Sequence, residues 1–126
     1  MAGTHEGTAL VFPQLTEAFE PFDNKPHAQK IVDATGANLV ILEFAQGQVW
    51  REHHSVHPVI VQVLKGRVEF TVKDEIIDLV PGTPIHLTSH LLHEVRAMEP
   101  STVMVTMLTG ETHEPAKTNV EGIRSI

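Results

Sequence analysis

The sequence contains no cysteine, which removes disulfides, thiolate metal sites and a cysteine nucleophile together. It is also poor in basic residues: 9 Lys and Arg stand against 16 Asp and Glu, a formal net charge of −7. Nucleic acid and anionic membrane both reward basic patches, so neither is expected as a partner. No apolar run approaches the length of a membrane span, and no basic-then-apolar segment opens the chain, so a cytoplasmic protein is the expectation. A phosphate-cradling glycine loop, a nucleophile elbow and an HExxH zinc motif are all missing. What remains is a chain of 126 residues, 41% apolar, which is one domain able to bury a core.

Residues 1–27 form an irregular N-terminal segment rich in Gly, Pro, Thr and acidic groups. Within it Ala9 to Phe12 is expected as an edge strand before Pro13, and Gln14 to Phe22 as a short turn of helix limited by Pro21 and Pro26. From residue 28 the pattern changes, and no later segment sustains a helical period. Ala28 to Ala34, Asn38 to Ala45, Val59 to Leu64, Arg67 to Lys73, Glu75 to Val80 and Thr102 to Leu108 are short β-branched runs. Turn residues such as Thr35-Gly36, Lys65-Gly66, Lys73-Asp74 and Pro81-Gly82 separate them. In Arg67 to Lys73, Val68, Phe70 and Val72 alternate with polar neighbours, as a half-buried strand requires. Residues 28–110 therefore predict an all-β barrel or sandwich of antiparallel strands, followed by a polar tail over 111–126. Val59, Val61 and Val63 share one side of their strand, with Ile60 and Leu64 on the other. Such a strand needs cover on both faces, from the other sheet's flank, the N-terminal segment or another subunit, and a homodimer is the expectation.

Six of the 9 histidines fall in two windows, HHSVHP at 53–58 and HLTSHLLH at 86–93. These windows sit inside stretches that resemble the two motifs of the cupin superfamily. GQVWREHHSVHPVIVQVLKG (47–66) is similar to the first, with Gly47, His53 and Gly66 in frame. GTPIHLTSHLLHEVRA (82–97) is similar to the second, with Gly82 and His93 in frame. The resemblance covers residues 36–109. It implies a double-stranded β-helix, or jelly-roll barrel, of two antiparallel sheets around a pocket, commonly dimeric. In many such proteins the pocket holds a divalent transition metal on two histidines and an acid from the first motif and a histidine from the second. This chain departs from that pattern. Ser55 stands where the second histidine belongs and Val59 where the acid belongs, while Thr88, His90 and Ala97 replace the proline, glycine and asparagine of motif two.

A metal site would have to be rebuilt. On a regular strand His53, Ser55, His57 and Val59 face the same way, yet His53 and His57 lie roughly 13 Å apart at Cα, far for ligands of one ion. A bend near Pro58 or a bulge at His53-His54 would close that gap. The candidate ligands are His53, His57 and His93, with His54 as the alternative third, and the ion is zinc, iron, nickel, copper or manganese. Histidines flanking a proline turn are otherwise ordinary solvated residues. His90 is read as a surface residue, and His86 faces either the pocket or solvent. The expected pocket residues are Trp50, Ser55, Val59, Val61 and Phe70; Trp50 is either pocket wall or core plug. Glu43, between Leu42 and Phe44, is either a buried acid or, as a sheet surface favours, a solvated one.

Two functions remain open. The reading preferred from the sequence is a small protein that binds a divalent transition metal through pocket histidines, with an open coordination position and an unknown activity on a small molecule. The other is a metal-free ligand-binding or sensory module, favoured by the exchange of a charged ligand for Val59, which dries and neutralises the site. Whether the protein catalyses anything is undecided by its sequence.

Overall fold

The computed structural model describes residues 6–110 and 114–126, and within these not the side chains of Glu52 and His53. Among the described residues, nine strands run in chain order: β1 (His27–Ala34), β2 (Ala37–Phe44), β3 (Val49–His53), β4 (Val59–Lys65), β5 (Val68–Val72), β6 (Glu75–Leu79), β7 (Ile85–Leu87), β8 (His93–Ala97) and β9 (Ser101–Met107). They form two antiparallel sheets, one ordered β1-β2-β9-β4-β7 and the other β3-β8-β5-β6. No helix occurs among the described residues. This is the two-sheet barrel expected from the sequence.

The core lies between the sheets, where alternation of side chains delivers it. Val59, Val61 and Val63 of β4 face Val68, Phe70 and Val72 of β5, and all six are buried. Two turns are held by backbone conformation. Lys73 and Asp74 both have positive φ, 49° and 63°, which makes the two-residue β5–β6 connection a hairpin whose twist matches its strands. Gly66 (φ 90°) links β4 to β5 where a Cβ would strike Ser101 and the carbonyl of Pro100, so only a hydrogen fits there. That is the physical role of the glycine that closes the first motif.

The N-terminal segment departs from expectation. Ala9 to Phe12 forms no strand, and Leu10, Val11 and Phe12 are exposed. Gln14 to Phe22 forms a turn at Thr16-Glu17 and no helix. A strand needs an edge to pair with, and this segment instead crosses the outer face of the five-stranded sheet, giving its N–H groups to side chains. The backbone N–H of Glu17 donates to Thr102 Oγ1 at 3.0 Å and that of Ala18 to Glu43 Oε2 at 2.8 Å. An ion pair between Glu17 and Lys65 adds to the attachment. Beneath it Ile41, Glu43 and Thr102 are buried although they point away from the barrel interior. Glu43 is thus a buried acid and not a solvated one, correcting the preference drawn from its sheet position: the cover comes from a segment about 25 residues earlier in the chain. Part of the second cover required by the sheet is therefore supplied by the chain itself.

Candidate functional site

The stretch from His53 to Val59 is not one strand. β3 ends at His53, residues 54–58 form a loop, and β4 begins at Val59. The shared facing of His53, Ser55, His57 and Val59 expected from strand alternation therefore does not arise. β3 does carry an irregularity, between Trp50 and His53, where three steps along β3 match two along β8. Its consequence is that the backbones of His53 and His93 lie directly opposite each other. Motif one and motif two thus meet at the end of the four-stranded sheet. The two loops beyond are tied as well, because His90 N–H donates to the carbonyl of Ser55 at 2.8 Å. His90 adopts φ 65°, the left-handed conformation that explains a glycine at this place in the motif.

A cavity of about 460 Å³ opens at this end and runs between the sheets. All five pocket residues expected from the sequence line it: Trp50, Ser55, Val59, Val61 and Phe70. Trp50 is accordingly a wall residue. Sequence reasoning missed the rest of the wall on the five-stranded sheet, built beside Val59 and Val61 of β4 from Val40, Leu42 and Phe44 of β2 and Val103, Val105 and Met107 of β9. Their inward parity was readable, but nothing in the sequence says that β2 and β9 lie side by side.

His93 is 6% exposed and lies on the cavity. Its Nδ1 is 3.0 Å from the carbonyl oxygen of Leu91; a carbonyl only accepts, so Nδ1 carries the proton and the lone pair of the neutral ring is on Nε2. The ring lies almost parallel to that of Phe70, with centroids 5.2 Å apart and planes 9° from each other. Val72 is its direct cross-strand neighbour. The imidazole is therefore oriented from two sides. His54 also lines the cavity, at its exposed mouth, with its ring 5.8 Å from that of His90.

The remaining candidates lie elsewhere. His57 is half-buried beyond the cavity wall, its N–H donating to Ser55 Oγ at 3.1 Å. His86 is exposed and donates from Nδ1 to the carbonyl of Val59 at 3.0 Å, on the outer side of β7. The side chain of His53 lies outside the described residues. Among the described residues, no three His, Asp or Glu side chains are grouped to hold an ion. Val59, buried to 4% exposure, occupies the place of the motif's acid.

No family model matches the chain, and no curated protein matches it in sequence. Solved structures do match in shape. An RmlC-like cupin protein from Desulfovibrio desulfuricans superposes with a TM-score of 0.73 at 23% identity, covering 80% of this chain and 98% of its own. A cupin superfamily protein from Desulfitobacterium hafniense gives 0.63 at 22% identity, over 73% and 82% of the two chains. A double-stranded β-helix protein from Klebsiella pneumoniae gives 0.66 at 17% identity, over 75% and 85%. The likeness is one of architecture, and on that evidence the chain has the cupin fold.

Proposed function

We propose that the protein binds a small molecule in the cavity between its sheets and acts as a ligand-binding module. The observation that carries this reading is the cavity itself. Protein interiors pack with few voids larger than a water molecule, whereas about 460 Å³ remains open here, within the ~300–1,000 Å³ range of ligand sites. The walls are apolar side chains from both sheets, and His54, Ser55 and His93 supply polar atoms at one end. That is the composition of a site that holds its occupant by burial and orients it by a few hydrogen bonds. A thermal-shift screen of a small-molecule library on the wild-type chain and on Val61→Phe, whose added ring fills the cavity, tests the reading. Compounds that raise the melting temperature of the wild type and not of the variant support it. If Val61→Phe does not fold, Ala28→Leu serves the same purpose from β1. A screen in which no compound distinguishes wild type from the filled variant defeats it.

A second reading, a divalent metal ion at the same mouth, is favoured by the orientation of His93. Metal-ligating histidines typically donate their other ring N–H to a carbonyl or carboxylate, and His93 does so to Leu91. His93 would hold the ion with His53, whose backbone is its cross-strand partner, and with His57 or His54. A bound ion would supply Lewis acidity. The described residues give this reading two cavity imidazoles and no carboxylate, which is why it stands second.

A further inference from the structure

The chemistry of the cavity wall narrows what it holds, given the ligand-binding reading above. We infer that the occupant is an uncharged molecule with an aromatic or branched-hydrocarbon body and one hydrogen-bonding group, held with that group toward the mouth.

The distribution of polar atoms carries the argument. Leu42, Phe44, Val61, Val95 and Val103 form the inner part of the cavity, and all five are buried. Among the described lining residues there is no Asp, Glu, Lys or Arg. A charged group entering that space gives up its hydration without meeting a counter-charge. A sugar fares little better, because its hydroxyls point in all directions and most would face hydrocarbon without a partner. The polar lining side chains gather at one end: His54 and Ser55 directly follow β3, and His93 opens β8. One hydrogen-bonding group at that end is satisfied, and further ones along the body are not. Three aromatic side chains, Phe44, Trp50 and Phe70, border the space, offering flat faces to a ring. The rim agrees with the interior, since Val56 both lines the cavity and is 61% exposed. An apolar residue at the entrance lets an apolar ligand lose its water in stages.

The test uses the full chain and three probes: 2-naphthol, 2-naphthoate, which carries a charge on the same rings, and glucose. Each is titrated at about pH 8, where a free imidazole is neutral, while methyl resonances of Val61, Val95 and Val103 are followed by NMR. The expected result is saturable shifts of these methyls with 2-naphthol, at least tenfold weaker binding of 2-naphthoate, none with glucose, and loss of the response in Ala28→Leu. If 2-naphthoate or glucose shifts the cavity methyls as readily as 2-naphthol, the inferred ligand class is wrong while the cavity remains a binding site. If all three probes leave these methyls unmoved, or move only surface resonances, the ligand class is overturned; the library screen on the filled variants then decides separately whether the binding reading survives.

Discussion

Thr102 on β9 and Glu43 on β2 are directly opposed across the sheet, and the threonine hydroxyl donates to the glutamate carboxyl at 2.6 Å. The pair faces away from the barrel, yet both residues are buried because residues 14–22 pass over them and bind to both. Their bonds join the N-terminal segment to the sheet. Glu43→Ala leaves the Thr102 hydroxyl and the Ala18 N–H without their acceptor. At ~1–3 kcal/mol for each of two buried polar groups left unsatisfied, the variant is expected to lose about 2–6 kcal/mol in urea unfolding. Limited proteolysis within residues 6–26 should accelerate in parallel. A variant that matches wild type in both measurements would show that the segment is held by other contacts.

His90 offers the opposite sign. A non-glycine residue in the left-handed region costs about 1–2 kcal/mol, and glycine would relieve that at an entropic cost of ~0.5–1 kcal/mol. His90→Gly should therefore stabilise the fold by about 0.5–1 kcal/mol, a rise of a few degrees in Tm. His90→Ala keeps the strained backbone and should not be stabilised. Equal Tm values for the two variants would refute a backbone origin.

The glycines divide sharply. At Gly66 an added methyl meets backbone, with Ser101 Cα only 2.9 Å away, and neither strand end can retreat. Gly66→Ala is expected to cost more than ~4 kcal/mol, beyond the range of ordinary substitutions, and to appear as insoluble protein. At Gly47 and Gly82 nothing lies within 4 Å of the added atom, and the φ values of 84° and 94° carry the whole penalty. Alanine there should cost about 1–2 kcal/mol and leave soluble protein for circular dichroism.

Metal content separates the two functional readings. After tag-free purification and dialysis against a mild chelator, the ligand-binding reading expects well under one transition-metal ion per chain by elemental analysis. The metal reading requires about one, lost in His93→Ala and in His53→Ala. Retention in His57→Ala would show that this residue is not the third ligand.

Much of the barrel is written locally. Val68, Phe70 and Val72 alternate so regularly that β5 and its inward face could be read directly, and the pocket residues on β4 and β5 followed from parity, whereas Trp50 on β3 was left open between wall and core. Less of β3, β7 and β8 was legible, because histidine and charged residues interrupt their apolar pattern and β7 has only three residues. The burial of Glu43 could not be read at all from its neighbours Leu42 and Phe44: it depends on Ala18 and on a threonine 59 positions later. The left-handed His90 was hidden for a related reason. Histidine does not advertise that conformation as glycine does, and the turn is maintained by its bond to Ser55 in another loop.

Trp50 is the chain's single tryptophan, and its indole stands in the cavity wall. Its emission therefore originates entirely from the binding chamber, with no second fluorophore of its kind to dilute the signal. Water leaving that chamber should register as a change of colour in unlabelled protein, so an occupant could be sought by optical titration before its chemical identity is known.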